Sequence, residues 1–89
     1  MNIEVLFFGE LRELTAVRQK NVAMDDGARL VDLVEHLGEE YGDAFRHEAK
    51  TIRRLQILIN GQQHTFLGGM EAPLRDGDTV VFMPPIFGG

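Results

Sequence analysis

Leu30, Leu33, Val34, Leu37 and Tyr41 recur at i, i+3, i+4, i+7 and i+11, which is one face of an α-helix. This stripe constrains the fold more than any other feature, because it is too wide to be left in water and needs a covering layer. Glu35, His36, Glu39 and Glu40 lie off the stripe and read as its solvated side. Gly42 is placed as the residue that ends the helix. Either Asp26 caps the start, or the helix begins a turn later behind Arg29, a poor cap. Gly38 inside the helix costs about 1 kcal/mol against alanine and marks a place of close packing. Asp43–Thr51 is a second short helical piece or a loop, anchored by Phe45.

The remaining apolar stretches have the period of strands, so the covering layer is a sheet. Asn2–Phe8 puts Ile3, Val5 and Phe7 on one face and Glu4, Leu6 and Phe8 on the other. Being apolar on both faces near its end, it is expected to be a central strand. Leu11 and Leu14 then pin one or two helical turns over Gly9–Thr15. A second strand over Gln19–Met24 stops at the turn Asp25-Asp26-Gly27. Arg54–Asn60 is a strand, and Asn60-Gly61 is a hairpin turn that demands positive φ at both residues. A short return strand is expected over Gln62–Phe66, broken by Leu67-Gly68-Gly69-Met70. Arg75-Asp76-Gly77-Asp78 is a tight turn leading into the last strand, Thr79–Met83. The expected fold is therefore α+β, a β-grasp (ubiquitin-like) arrangement with a mixed sheet packed on one principal helix. In it the first and last strands lie side by side as parallel neighbours. Val80 and Phe82 facing the helix would send Thr79, Val81 and Met83 outward. With Phe8 or Leu6 beside them, Val81 and Met83 would then form a docking patch rather than core.

After the last strand the sequence changes character: Pro84-Pro85-Ile86-Phe87-Gly88-Gly89. The prolines remove backbone donors and stop sheet pairing. Extended like polyproline, the six residues reach about 18 Å at roughly 3 Å each. Glycines without side chains let a partner's backbone close around them. The expected division is a domain over 1–83 and a tail over 84–89, ending in the carboxylate of Gly89. A carboxylate is a poor acyl electrophile until it is activated. ATP would make an acyl adenylate, sulfide would turn that into a thiocarboxylate, and an amine would turn it into an amide. Two plainer readings stand beside this one: a frayed end, or Ile86 and Phe87 folded back on the chain's own surface.

Composition narrows the partners. The chain has no cysteine, so there are no disulfides, no thiolate metal sites and no side-chain sulfur to carry cargo. A formal charge of −5 over 89 residues disfavours a nucleic-acid footprint and favours basic partner surfaces. The acidic pair Glu39-Glu40 would suit such a surface. No apolar run approaches the roughly 20 residues needed to span a bilayer, and Met1-Asn2-Ile3-Glu4 lacks a basic signal-peptide region; the expectation is a cytoplasmic protein without membrane partners. His36, His47 and His64 fall on separate elements without ligand spacing, and a turn accounts for Asp76 and Asp78. No nucleophile-and-base set and no phosphate-binding glycine loop is present. The chain is thus expected to bind neither metal nor cofactor itself. Arg12 either pairs with Glu13 or docks a partner.

Three stretches carry a family resemblance. Phe7-Phe8-Gly9-Glu10-Leu11-Arg12-Glu13-Leu14 is similar to the FFxxLREL signature of the small subunit of molybdopterin synthase. Pro73-Leu74-Arg75-Asp76-Gly77-Asp78-Thr79-Val80 resembles that family's turn, and Phe82–Gly89 resembles its Pro-Pro and Gly-Gly end. The resemblance implies a β-grasp sulfur carrier whose C-terminal glycine is adenylated by a ubiquitin-activating-type enzyme, which uses the ATP. The resulting thiocarboxylate inserts into a larger catalytic sulfurtransferase subunit. It implies Gly89 as the reacting terminus with Gly88 beside it; with the patch expected from strand alternation, the expected partner-binding residues are Phe8, Val81, Met83, Pro84, Pro85, Ile86 and Phe87. Asn60-Gly61 and Phe66-Leu67-Gly68-Gly69-Met70 look more like a broader branch, which includes carriers for cysteine synthesis and archaeal protein modifiers. The thiamin-pathway carriers are shorter and lack the Leu-Arg-Glu-Leu stretch. The rival class is a ubiquitin-like modifier joined through Gly89 to lysines, with Lys20 and Lys50 as chain-forming sites; the third is an interaction-only domain.

Overall fold

The computed structural model describes residues 1–50 and 55–83. The expected stripe is helix α2, Leu30–Tyr41, and it follows a first strand, β1 (Asn2–Phe7), a short helix, α1 (Glu10–Thr15), and β2 (Gln19–Ala23). A further helix, α3 (Asp43–Lys50), comes next, then β3 (Gln56–Ile59), β4 (Gln62–Gln63) and β5 (Thr79–Met83). The strands form a five-stranded sheet in the order β2-β1-β5-β3-β4. β1 and β5 run parallel at its centre, and every other pairing is antiparallel.

One sheet face is sealed by the helices. Ile3, Val5 and Phe7 from β1, Val80 and Phe82 from β5, and Ile57 and Ile59 from β3 are buried with Leu30, Leu33, Val34 and Leu37 of α2. Phe45 anchors α3 as expected. Its ring meets Phe7 and Phe82 edge-on at 5.9 and 5.8 Å, while Phe7 and Phe82 stack at 5.7 Å, a geometry that adds to simple area burial. Gly38 does mark close packing: a β-carbon there would lie 2.4 Å from Cγ of Arg46 on α3.

The start of α2 lies at Arg29, so Asp26 is not the cap. Asp25 and Asp26 belong to the preceding turn, closed by the Ala28 N–H donating to the Asp25 carbonyl at 3.1 Å. The helix end is satisfied from inside instead, because Asp32 accepts a hydrogen bond from the Arg29 N–H at 2.9 Å. Gly42 ends the helix at φ 97°. Asn60 and Gly61 take φ 51° and 84°, the two positive values the hairpin requires.

The return strand is shorter than expected, stopping at Gln63, and His64–Leu67 and Gly69–Glu71 form 3-10 turns. The cause is His64. Its buried ring places Nδ1 3.2 Å from the Ile57 carbonyl, so the nitrogen donates and the side chain takes the partner that further backbone pairing would use. The predicted start of β3 at Arg54 lies outside the described residues.

Candidate functional site: the sheet face opposite the helices at the end of β5

The period of two along β5 sends Val80 and Phe82 into the core and leaves Thr79, Val81 and Met83 half-buried on the opposite face. Register then decides their neighbours. Val81 sits between Leu6 of β1 and Leu58 of β3, in one row across three strands. Met83 lies opposite Gln56. Phe8, just beyond β1, is held beside the end of β5 by its N–H, which donates to the Phe82 carbonyl at 2.9 Å, and the residue is 46% exposed. The result is an apolar centre of Leu6, Leu58, Val81, Met83 and Phe8, on the face that α2 and α3 do not cover.

Its rim is polar. Gln19 stands opposite Leu6 and Gln63 opposite Leu58. The Gln63 amide donates to Gln56 Oε1 at 3.1 Å. Glu4 accepts from Gln19 Nε2 at 2.7 Å and from Thr79 Oγ1 at 3.3 Å. An apolar centre inside an amide and carboxylate rim is how protein-docking surfaces are built.

Phe8, Val81 and Met83 therefore come together as expected. Leu58 was not legible as part of the patch. The stretch Leu55-Gln56-Ile57-Leu58-Ile59 is apolar on both faces, and only pairing with β5 shows which side Leu58 shares. Pro84, Pro85, Ile86, Phe87, Gly88 and Gly89 lie outside the described residues.

Several other expectations are resolved by the contacts. Arg12 does not pair with Glu13: among the described residues it makes no ion pair, and with Arg18 it lines an open cleft that Gly9, Glu13, Ala16 and Val17 complete. This cleft adjoins Phe8 through Gly9. Asp76 and Asp78 serve the turn: Asp76 accepts the Asn2 N–H at 2.7 Å, and Asp78 accepts the Arg75 N–H at 2.8 Å. No group of three or more metal-ligating side chains occurs among the described residues.

The two lysines each meet a carboxylate. Lys20 donates to Glu40 at 2.5 Å, and that hydrogen bond lifts the ammonium above its usual range. Lys50 donates to Glu35 at 3.0 Å and thereby holds the Glu35 carboxyl below the usual value.

A mixed sheet with parallel central strands, a helix packed across one face and an apolar patch on the other that no helix covers among the described residues defines a β-grasp protein of the ubiquitin-like class. Within that class, residues 5–89 match the ThiS family, and the chain belongs to it. It is 34% identical to the small archaeal modifier protein 3 of Haloferax volcanii, over the full length of both chains. It is 33% identical to the molybdopterin synthase sulfur carrier subunit of Escherichia coli, covering 98% of this chain and 99% of that one. The solution structure of the Haloferax volcanii HVO 2177 protein superposes with a TM-score of 0.81 at 31% identity, covering 100% of this chain and 87% of that one. Among the described residues, no helix is long and apolar enough to cross a membrane.

Proposed function

We propose that this chain is a sulfur carrier: its β-grasp body, residues 1–83, presents a tail, residues 84–89, whose Gly89 carboxyl is the reacting group. A ubiquitin-activating-type enzyme uses ATP to form the acyl adenylate, releasing pyrophosphate; sulfide-level sulfur then attacks the carbonyl carbon and displaces AMP, giving the thiocarboxylate. A larger sulfurtransferase subunit receives the tail and takes the sulfur, for molybdopterin synthesis or a related pathway. The chain contributes no cofactor or catalytic set of its own. Gly88 keeps the approach to Gly89 free of side chains, and Pro84, Pro85, Ile86 and Phe87 are the tail's contacts with its partners.

The observation that carries this reading is the uncovered patch of Phe8, Val81 and Met83 with Leu6 and Leu58, sited where β5 runs into the tail. Kinship with a sulfur carrier subunit over nearly the whole chain supports the same assignment. The test is mass spectrometry after incubation with the activating enzyme, ATP and a sulfide donor. The expected product is heavier by the replacement of one oxygen by sulfur, mapped to Gly89. Unchanged mass with a competent activating enzyme overturns the proposal.

The 34% identity to an archaeal modifier protein favours a second use of the same end. An amine of another protein would attack the activated Gly89 carbonyl and leave an isopeptide bond. Branched Gly-Gly remnants on lysines of other proteins, lost when Gly88 and Gly89 are deleted, are the outcome that supports it.

A further inference from the structure

An acyl adenylate does not discriminate between nucleophiles: any neutral amine within reach attacks it. This chain carries few candidates. It has no cysteine; besides the Met1 α-amine, which donates to the Met24 carbonyl at 2.8 Å, its amines are those of two lysines, Lys20 and Lys50, and its arginines stay cationic at any working pH. Lys20 is nevertheless near the end of β5. Lys20 pairs with Val5, and Val5 with Val80, so Lys20 is two strand spacings from β5 and three residues back from Met83. With strands about 4.8 Å apart and a rise of about 3.3 Å per residue, that is about 14 Å. Six residues span at most about 20 Å when fully extended, so residues 84–89 are long enough to cover that distance.

Both lysine amines are engaged. Lys20 Nζ lies 2.5 Å from Glu40 Oε1 and 5.6 Å from the centre of the Tyr41 ring. Its side chain is only 28% exposed and is turned toward α2, away from the uncovered face. Lys50 Nζ lies 3.0 Å from Glu35 Oε1, a carboxylate that Arg46 Nε also meets at 3.3 Å. An ammonium has no lone pair, and one that donates to a carboxylate must break that bond as well as lose its proton before it can attack.

We infer that Glu40 and Glu35 guard the two lysine amines against the chain's own activated terminus, so that the carrier does not acylate the body that bears it. The inference rests on the carrier reading. The suppressed reaction is a simple substitution. The neutral Nζ would bond to the Gly89 carbonyl carbon, the bond from that carbon to the adenylate oxygen would break, AMP would leave, and the proton from nitrogen would pass to solvent. The net product is an internal amide, lighter than the free protein by one water.

Two measurements on the full chain test this. In the first, limited labelling with the N-hydroxysuccinimide ester of acetic acid is followed by peptide mapping. Glu40→Gln is expected to acetylate Lys20 about threefold faster than the parent chain, the scale of a surface ion pair, with Lys50 unchanged; Glu35→Gln is expected to do the reverse. Equal rates at both lysines overturn the inference. In the second, the chain is activated with ATP and the activating enzyme without a sulfur donor. Glu40→Gln is expected to accumulate the dehydrated species with a Lys20–Gly89 crosslink, which is lost in Glu40→Gln/Lys20→Arg. Adenylation of Glu40→Gln without any internal amide counts against the guard. Absence of adenylation in the parent chain instead overturns the carrier reading, and the ester labelling still decides the role of the two carboxylates.

Discussion

Asn60 is the residue at which backbone and side chain are both committed. Its φ of 51° is left-handed, its Oδ1 accepts the Thr79 N–H at 2.9 Å, and its Nδ2 donates to Asp78 Oδ1 at 2.8 Å. Asn60→Ala loses the two hydrogen bonds and keeps the backbone strain, a cost of about 2 kcal/mol. Asn60→Gly relieves the strain and loses only the bonds, about 1 kcal/mol. Urea unfolding separates the two, and equal losses would mean that the left-handed turn contributes nothing. Glu35 gives a prediction in pH. The Lys50 hydrogen bond lowers its folded value below the usual 4.5, so the pair stabilises the fold above that value and the gain disappears as pH falls through the folded value. The stability difference between the parent chain and Glu35→Gln should therefore shrink steadily below pH 4.5, and shrink at neutral pH in high salt, because the pair is exposed. At this scale the sequence was uneven to read. Asn60-Gly61 declared its turn because few residue pairs accept positive φ twice. His64 gave no sign that it would be buried, because its acceptor, Ile57, is supplied by a neighbouring strand.

The elements were legible wherever local periodicity decided them. The stripe of α2 and the alternation of β1 and β5 survive unchanged from sequence to structure. The cap of α2 and the length of β4 were not, since each depends on a side chain reaching backbone elsewhere, Asp32 in one case and His64 in the other. The candidate site divides in the same way. Val81 and Met83 follow from the alternation of one strand, whereas Leu58 needs a register between two. Because one face of β5 is buried and the other is not, neighbouring substitutions should part company. Val80 is fully buried, and Val80→Asp puts an unpaired carboxylate in the core, enough to unfold a domain of this size. Val81→Asp faces out among Leu6 and Leu58 and should leave the thermal midpoint within a few degrees, as surface changes do. It should nevertheless suppress thiocarboxylate formation at least about tenfold, because a charge placed in a docking centre is desolvated without a partner. Leu58→Asp, from another strand, should behave like Val81→Asp. Circular dichroism melts and the mass assay read the two effects independently. A Val81→Asp protein that folds and is thiolated at the parent rate would remove the patch from the mechanism.

For the whole molecule, the central pairing of β1 with β5 joins the first strand to the last and places the root of the tail beside the uncovered patch. On the carrier reading, a partner that grips the patch thereby holds the starting point of residues 84–89. On that reading, what reaches the partner's active site is set by the number of residues after Met83. On the carrier reading the body supplies affinity and the tail supplies reach, and the two should fail separately. Adding one alanine after Gly89 leaves every contact of the body untouched, so the melting temperature and the affinity for the activating enzyme should both stay close to the parent values. The added residue moves the carboxylate by about 3 Å and puts a methyl group beside it, and a misplacement of even about 1 Å costs roughly a hundredfold in a positioned reaction. Adenylation, followed by ATP–pyrophosphate exchange, should therefore fall by at least that factor with binding retained. An extended chain that still exchanges pyrophosphate at the parent rate would mean that Gly89 is not the group being activated, however well the patch binds.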